Sequence, residues 1–203
     1  MPRPLAVTFD SDGGVSFGSE EIRRSRLVRQ AVGEELVASS RRAWDEQRAP
    51  DGTVWQARSV PNIAGMVSDF SKGRADPKPN RLVPRPALID TGRMRRSIGF
   101  RLEAGRVIPT VGVDYGMPHR EGGATTITIT PAVRRAAIRW LDRRDQDDVV
   151  DKRLRGAVRN DALTIQFPAR DFLGADDQAQ DTIRTLVRRG TIAARKRGAR
   201  GRR

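Results

Sequence analysis

The sequence contains no cysteine and a single histidine, His119. The lack of cysteine excludes disulfide scaffolds, cysteine-based zinc sites and thiol nucleophiles. A Ser-His-Asp triad would depend on that one imidazole ring. No uninterrupted apolar run approaches the roughly 20 residues that a membrane-spanning helix needs. The first residues, MPRPLAVTFDSDGG, lack a cationic segment followed by a long apolar one, so we expect no secretory signal.

Lysine is also scarce, because 35 of the 39 basic residues are arginine, and the net charge is +14. A GC-rich coding sequence favours arginine as well, so the position of the charges is more informative than their type. Residues 188–203 contain eight basic residues and no acidic one, which leaves +6 for residues 1–187. The excess of positive charge therefore belongs mainly to a C-terminal segment.

The first half of the chain is predicted to be mostly helix and loop. A short strand at residues 5–9 is followed by turn-forming residues. A long helix is predicted over residues 19–48, because apolar residues recur at helical spacing and Glu20 and Glu21 fall in the first turn. Residues 61–86 contain five prolines and are predicted to form an extended loop, in which residues 63–70 can form a short helix.

The second half is predicted to contain most of the strands. They are expected at residues 97–102, 107–113, 125–130 and 162–167. The third alternates Ile and Thr, which indicates burial on one face. A helix is predicted to start at Thr130-Pro131. The charged residues 142–159 are predicted to be a solvated helix end and connection. A last helix should run from Asp176 to about Gly190.

The length of 203 residues suits one domain with arms or two small domains. We predict an N-terminal arm with a short strand at residues 1–18, a single domain at 19–187 and a basic C-terminal arm at 188–203. The extended loop 61–86 lies inside the predicted domain.

Residues that suggest catalysis or cofactor binding are few. A metal site could be sought among Asp145, Asp147, Asp148 and Asp151, but the segment lacks the glycine and glutamate of an EF-hand loop and is flanked by arginines. A salt-bridged, solvated charge run is the better explanation. No phosphate-binding glycine motif is present. His119 has no second histidine or cysteine with it and is predicted to be a structural hydrogen-bonding residue. We predict neither enzymatic activity nor a cofactor.

The basic C-terminal arm leaves three alternatives open. It could bind nucleic-acid phosphates without sequence specificity, it could order against an acidic protein surface in an assembly, or it could be a solvated tail. No aromatic residue lies between the basic ones, so base stacking on a single strand is not supported. The candidate contact residues are Arg195, Lys196, Arg197, Arg200, Arg202 and Arg203.

Three segments occur in a fixed order that resembles one protein family. The first is PDGTVW at residues 50–55, directly after the predicted long helix. The second is LIDTGRMRRSI at 88–98, followed by VGVDY at 111–115 and HREGG at 119–123. The third is FPARDFLG at 167–174. In order and spacing these segments resemble the phage virion morphogenesis family, the tail completion proteins of Mu-like phages.

The resemblance runs from about Arg24 to Arg189 and leaves out the basic arm. Gly116 and Met94 stand where the family usually has alanine and leucine. The resemblance implies an α+β fold, with an antiparallel sheet on which a long N-terminal helix and a C-terminal helix pack. This architecture is similar to that of neck and tail-terminator proteins.

The same resemblance implies a virion protein at the head–tail junction, made in the bacterial host cytoplasm. It would form a homo-oligomeric ring, with a hexamer favoured, that closes the tail and joins it to the head. Its implied partners are neighbouring neck, portal-side and tail tube or terminator proteins, with packaged DNA as an open alternative and no membrane. A DNA-binding protein that acts through the basic arm is the alternative function.

The resemblance also gives structural roles to the residues of the three segments. Asp51 and Gly52 would form a turn that lets Trp55 anchor the long helix. Packing within the subunit is favoured over contact between subunits for the whole set, and Arg170 and Phe172 are the best candidates for a subunit interface. The other members of the set are Asp90 or Thr91 as a helix cap, Gly92, Tyr115, His119 and Gly122 around the hairpin, and Pro168 and Leu173 before the last helix.

Overall fold

The computed structural model describes residues 7–56, 62–83, 92–144 and 149–200, without the side chains of residues 167, 195 and 197–200. Its antiparallel sheets and helices confirm the α+β class. The chain divides into two compact units: unit 1 contains residues 1–55, 90–121 and 170–203, and unit 2 contains residues 56–89 and 122–169. The single domain at 19–187 with two arms stays a prediction.

The elements follow one another along the chain in a mixed order. They are β1 (Val7–Phe9), β2 (Val15–Phe17), α1 (Glu20–Arg24), α2 (Arg26–Glu46), α3 (Ile63–Ser71), a 3-10 helix (Pro79–Arg81), α4 (Arg93–Arg96), β3 (Ile98–Glu103), β4 (Arg106–Val111), α5 (Gly116–Glu121), β5 (Gly123–Thr128), α6 (Pro131–Asp142), α7 (Val149–Arg159), β6 (Ala162–Phe167) and α8 (Asp177–Arg200). Among the described residues, none of these helices combines the length and the apolar composition needed to cross a bilayer.

Unit 1 contains a four-stranded antiparallel sheet in the order β1-β2-β4-β3. Strand β2 joins the N-terminal hairpin to the central one, since Val15 pairs with Phe9 on one side and with Val107 on the other. The sequence analysis did not predict β2, which is only three residues long. The sheet therefore begins before the long helix, and β2 lies between the predicted N-terminal strand, β1, and the central hairpin.

The core of unit 1 lies between this sheet and two helices. Helix α2 packs on β3 and β4, and α8 packs on α2. At the closest approach of α2 to the sheet, Gly33 faces the ring of Phe100. The buried residues of this core are Val15, Phe17, Ile22, Val32, Leu36, Val107, Ile183 and Val187. The predicted N-terminal and C-terminal helices thus both contribute to one core.

The single helix predicted over residues 19–48 is interrupted at Ser25. The backbone of Ser25 is extended, with φ −80° and ψ 94°, and its side-chain oxygen accepts a hydrogen bond from the Val28 amide at 3.4 Å. A serine that accepts from the third following amide caps a new helix. The prediction of one helix was wrong here, because the apolar spacing continues across a break that the backbone makes.

Helix α8 continues past Gly190, where the sequence analysis placed its end. Gly190 lies against α2, and a β-carbon at this position would be 2.6 Å from a methyl group of Val28. The next residue, Thr191, is buried, and its hydroxyl donates to the carbonyl of Val187 at 3.0 Å. The glycine therefore permits close helix packing instead of ending the helix. The basic segment is helical as far as Arg200.

Unit 2 has a core of its own under a two-stranded ribbon of β5 and β6. The predicted start of α6 is confirmed, because the Thr130 hydroxyl accepts from the Val133 amide at 3.3 Å. The predicted burial of one face of residues 125–130 is confirmed for its isoleucines: Ile127 is partly buried and Ile129 is buried, whereas the threonines of the segment are exposed; the strand itself ends at Thr128. The buried core consists of Met66, Val67, Phe70, Ile129, Val133, Ala137, Trp140, Leu141, Leu154 and Val158.

Part of the charged run 142–159 belongs to the core, which was not predicted. Helix α7 buries Leu154, Val158 and Asp151, so one of its faces belongs to the core of unit 2. Asp151 accepts from Arg144 at 3.2 Å. Of the four aspartates considered for a metal site, only Asp151 lies in the described residues, where no cluster of potential metal ligands occurs.

The proline-rich loop is organised by one buried carboxylate. The short helix predicted at 63–70 is confirmed as α3, near whose end Asp69 is 1% exposed. Asp69 accepts from the Arg81 guanidinium at 2.9 Å and from the Lys78 amide at 3.2 Å. Burial alone would raise the pKa of Asp69, but these hydrogen bonds outweigh it and lower that pKa. Residues 61 and 84–86 of this loop lie outside the described residues.

Candidate functional site

The first motif forms a tight turn directly after α2. The Asp51 carboxylate accepts from the Thr53 amide at 2.9 Å, and Gly52 has a positive φ of 87°, which suits glycine. Hydrogen bonds to Thr53 lower the pKa of Asp51. The chain then turns back, and the Trp55 amide donates to the carbonyl of Gln47 at 2.9 Å. The turn therefore returns Trp55 to the C-terminal end of α2.

The returned tryptophan belongs to a cluster of three aromatic rings. The ring of Trp44 lies 5.9 Å from that of Trp55 and 5.5 Å from that of Phe172, in edge-to-face geometry. Such geometry is favourable for aromatic pairs. The Trp55 indole N–H donates to the Asp171 carbonyl at 3.1 Å. The cluster joins the first motif, α2 and the third motif.

The loop of the third motif is also joined to the second. The Arg170 amide donates to the carbonyls of His119 and Arg120, at 3.1 and 3.2 Å. The Arg120 guanidinium in turn donates to the Asp171 carboxylate at 3.0 Å. Leu173 is buried in the same loop. Backbone hydrogen bonds and an ion pair thus connect α5 to the segment that precedes α8.

Two buried serines of α2 hold the end of this loop. The hydroxyls of Ser40 and Ser39 accept from the amides of Gly174 and Asp176, at 3.4 and 2.9 Å. Arg42 donates to both carboxylate oxygens of Asp176, at 2.9 and 3.0 Å. Burial would raise the pKa of Asp176, but the hydrogen bond from Arg42 and its charge lower it. The sequence analysis missed these residues, although two adjacent serines in a core-facing helix segment were a visible signal.

His119 and Tyr115 lie on α5 and immediately before it. Their rings are 6.4 Å apart in edge-to-face geometry. Burial, together with the positive charge of Arg170, lowers the pKa of His119. Tyr115 and Met117 are 44% and 40% exposed, so this end of unit 1 presents apolar surface. The segment ends at Gly122, whose φ is 77°.

The structure brings together most of the predicted site residues of unit 1. Asp51, Gly52, Trp55, His119, Arg170, Phe172 and Leu173 belong to the motif contacts described above. Phe172 is fully buried and Arg170 is 7% exposed. Phe172 therefore leaves no surface for a neighbouring subunit, and the exposed aromatic residue of the set is Tyr115.

The other predicted residues lie elsewhere or outside the description. Gly92 has a φ of 69° and precedes α4 in unit 1, whereas Gly122 and Pro168 belong to unit 2. Lys196 is exposed on α8. Asp90, Thr91, Arg202 and Arg203, and the side chains of Arg195, Arg197 and Arg200, lie outside the described residues.

The contacts described above have a structural role, because they hold loops in place. The motifs are joined by ring packing, backbone hydrogen bonds and arginine–carboxylate pairs, which fix loops against α2. Because segments that are distant in the chain are held together in this way, the surface that their loops form is fixed.

The comparison with known families agrees with this arrangement. The model of the phage virion morphogenesis family matches residues 17–190. The chain belongs to this family. It therefore has a structural role in phage virion morphogenesis and is a virion component. No curated protein and no solved structure matched the chain.

Proposed function

We propose that the chain is a non-enzymatic subunit of a ring at the phage head–tail junction. The ring, most simply a hexamer, closes the tail and joins it to the filled head by contacting neck, portal-side and tail tube or terminator proteins. The observation that carries this proposal is the family match, which spans residues 17–190. The motif contacts in unit 1 support it as a scaffold that fixes surface loops.

A closed ring requires each subunit to offer two different surfaces, because every interface joins the front of one copy to the back of the next. Unit 1 has an exposed apolar patch, which consists of Tyr115 and Met117. Aromatic residues and methionine are enriched at protein interfaces. We assign this patch to one side of the ring contact.

The second surface that we assign to the ring contact is a groove between α2 and β3. This groove is open, has a volume of about 480 Å³ and is mainly apolar. Its lining residues are Glu34, Val37, Ala38, Arg41, Ile98, Gly99 and Phe100. A concave apolar surface of this size can receive side chains such as those of the patch on a neighbouring copy.

The first test is the assembly state of the full chain, measured by native mass spectrometry and negative-stain microscopy, alone and with purified tails. We expect rings, with six subunits as the favoured number. Replacing Tyr115 and Met117 by serine should reduce ring formation. The matched control replaces Ile138 and Val149, which are exposed apolar residues of unit 2, and should leave rings intact. A stable monomer that never forms rings, even with tails present, would refute the proposal.

The second test measures the joining of heads to tails. Tails assembled without this protein are mixed with filled heads, and infectious particles are counted after the protein is added. The wild-type chain and the unit 2 control should restore infectivity, and the Tyr115 and Met117 variant should not. Restoration of infectivity without any added protein would place the function elsewhere in virion assembly.

A further inference from the structure

The C-terminal half of α8 is helical and strongly positively charged. Asp181 is the last acidic residue of the chain, and α8 continues from it to Arg200. We call residues 188–200 the basic half of α8. At 1.5 Å per residue it is about 18 Å long. Its six basic residues are Arg188, Arg189, Arg195, Lys196, Arg197 and Arg200.

The described cations of this segment are exposed and unneutralised. Arg188, Arg189 and Lys196 are exposed, and none of them forms an ion pair within the described part of the chain. By contrast, Arg106 of unit 1 is neutralised, since it donates to Asp10 at 2.9 Å. These three cations of one helix have no carboxylate partner among the described residues and are therefore available to an external anion.

The cations form two rows along the helix. A helix turns by about 100° per residue, so positions seven residues apart lie nearly above one another. Arg188 and Arg195 occupy one row, and Arg189 and Lys196 occupy a second, about 100° around the helix. Ile183 marks the opposite side, which is buried in the core of unit 1. Both rows therefore belong to the side of α8 that faces away from this core.

The chemistry of these rows favours the two phosphate strands of duplex DNA. The major groove is about 12 Å wide and admits a helix whose diameter is about 10–12 Å. A groove-bound helix with one row on each side would place each row near one phosphate strand. An acidic protein partner would require an apolar centre, and Ile192 is the only large apolar residue in residues 188–200. The major groove of duplex RNA is too narrow for side chains to read.

We propose that the basic half of α8 binds duplex DNA along the major groove, with one row of cations opposite each strand and without reading the bases. This proposal depends on α8 alone and does not require the ring. DNA binding is measured on the full chain whatever its assembly state, so failure here and failure of the proposed function are separate results.

The test is fluorescence anisotropy of the full chain with two unrelated 20-base-pair duplexes. Both duplexes should bind with similar affinity. If the four cations of the two rows contact phosphates, affinity should fall about 150-fold between 50 and 200 mM salt. The α8 variant, with glutamine at positions 188, 189 and 196, keeps one of these four cations, and its affinity should fall only about 3.5-fold over the same range.

The matched control variant carries the same change of net charge on unit 2. Arg135, Arg139 and Arg159 are exposed, and no ion pair involves them within the described residues. Replacing these three by glutamine should leave the salt dependence of the wild type. If the control variant loses as much affinity as the α8 variant, bulk charge explains the binding and the proposal is overturned. Far-UV circular dichroism checks that both variants keep their helices.

Two further measurements separate the possible partners. A single strand of the same length should bind more weakly than the duplex, because it offers one row of phosphates. Polyglutamate should compete poorly with the duplex. Equal or tighter binding of the single strand, effective competition by polyglutamate, or no duplex binding at 50 mM salt would each overturn the proposal.

Discussion

Replacing Gly33 by alanine gives a direct test of how closely α2 approaches the sheet. In an exposed helix this change should stabilise the protein by about 1 kcal/mol, because glycine is a poor helix former. In this structure the added β-carbon would lie 2.3 to 2.5 Å from three ring carbons of Phe100. The ring or the helix must therefore shift.

The size of the effect follows from two opposing terms. Overpacking of this kind costs about 1–3 kcal/mol, and the helix propensity of alanine offsets about 1 kcal/mol. We expect Gly33→Ala to lower the free energy of unfolding by about 1 kcal/mol. Phe100 also lines the open groove, which gives its ring room to move and keeps the expected cost below the upper limit.

The assay is urea unfolding of four proteins: the wild type, Gly33→Ala, Phe100→Ala and the double variant. In the Phe100→Ala background, Gly33→Ala should raise the free energy of unfolding by about 1 kcal/mol. Because the same change lowers it by about 1 kcal/mol in the wild type, the coupling energy between the two positions should be about 2 kcal/mol. Gly156 provides the matched control, because it lies on the exposed face of α7 with nothing within 4 Å of an added β-carbon. Gly156→Ala should stabilise by about 1 kcal/mol. If Gly33→Ala stabilises the wild type equally, the close approach described here is wrong.

Three further predictions concern single side chains. His119 is the only histidine, and its pKa is lower in the folded protein than the ordinary value of about 6.5. The stability that it supplies is therefore complete above about pH 6.5 and is lost as the pH falls through the pKa of the folded state. Urea midpoints should therefore fall from pH 7.5 to 5.5, and an equal fall in His119→Gln would contradict this assignment. Asp69→Asn leaves the guanidinium of Arg81 without its anion and should cost about 3 kcal/mol in urea unfolding, whereas the exposed Asp142→Asn should cost less than about 0.5 kcal/mol. Thr130→Ala removes the cap of α6 and should cost about 1 kcal/mol in the same assay; an unchanged midpoint would rule out the cap.

The sequence was informative wherever one local signal decided the structure. Thr130-Pro131 predicted the start of α6, and the apolar spacing in α6 and α8 predicted their buried faces. The sequence was misleading where tertiary contacts, and not local signals, determined the structure. Gly190 has the sequence signature of a helix end, but its missing side chain serves the contact with α2. The apolar spacing through Ser25 likewise concealed a break.

The site was predictable in part for the same reason. The motifs identified Trp55, Phe172 and Arg170 as structural residues, but they did not reveal that Trp44 lies between two of the rings. Asp176 was predicted as a helix start, and its bidentate pair with Arg42 was not, because 134 residues separate the two in the chain. Pairings at such separations have no local signal in a single sequence.

The interleaving of the two units has a consequence for synthesis on the ribosome. Both segments of unit 2 have been translated by residue 169, whereas the core of unit 1 needs Ile183 and Val187. Because proteins begin to fold during synthesis, unit 2 can complete its core while the sheet of unit 1 still lacks α8. Until that helix emerges, apolar side chains of α2 and β2 remain uncovered. The emergence of α8 therefore determines when the earlier-made α2 and β2 become protected from aggregation.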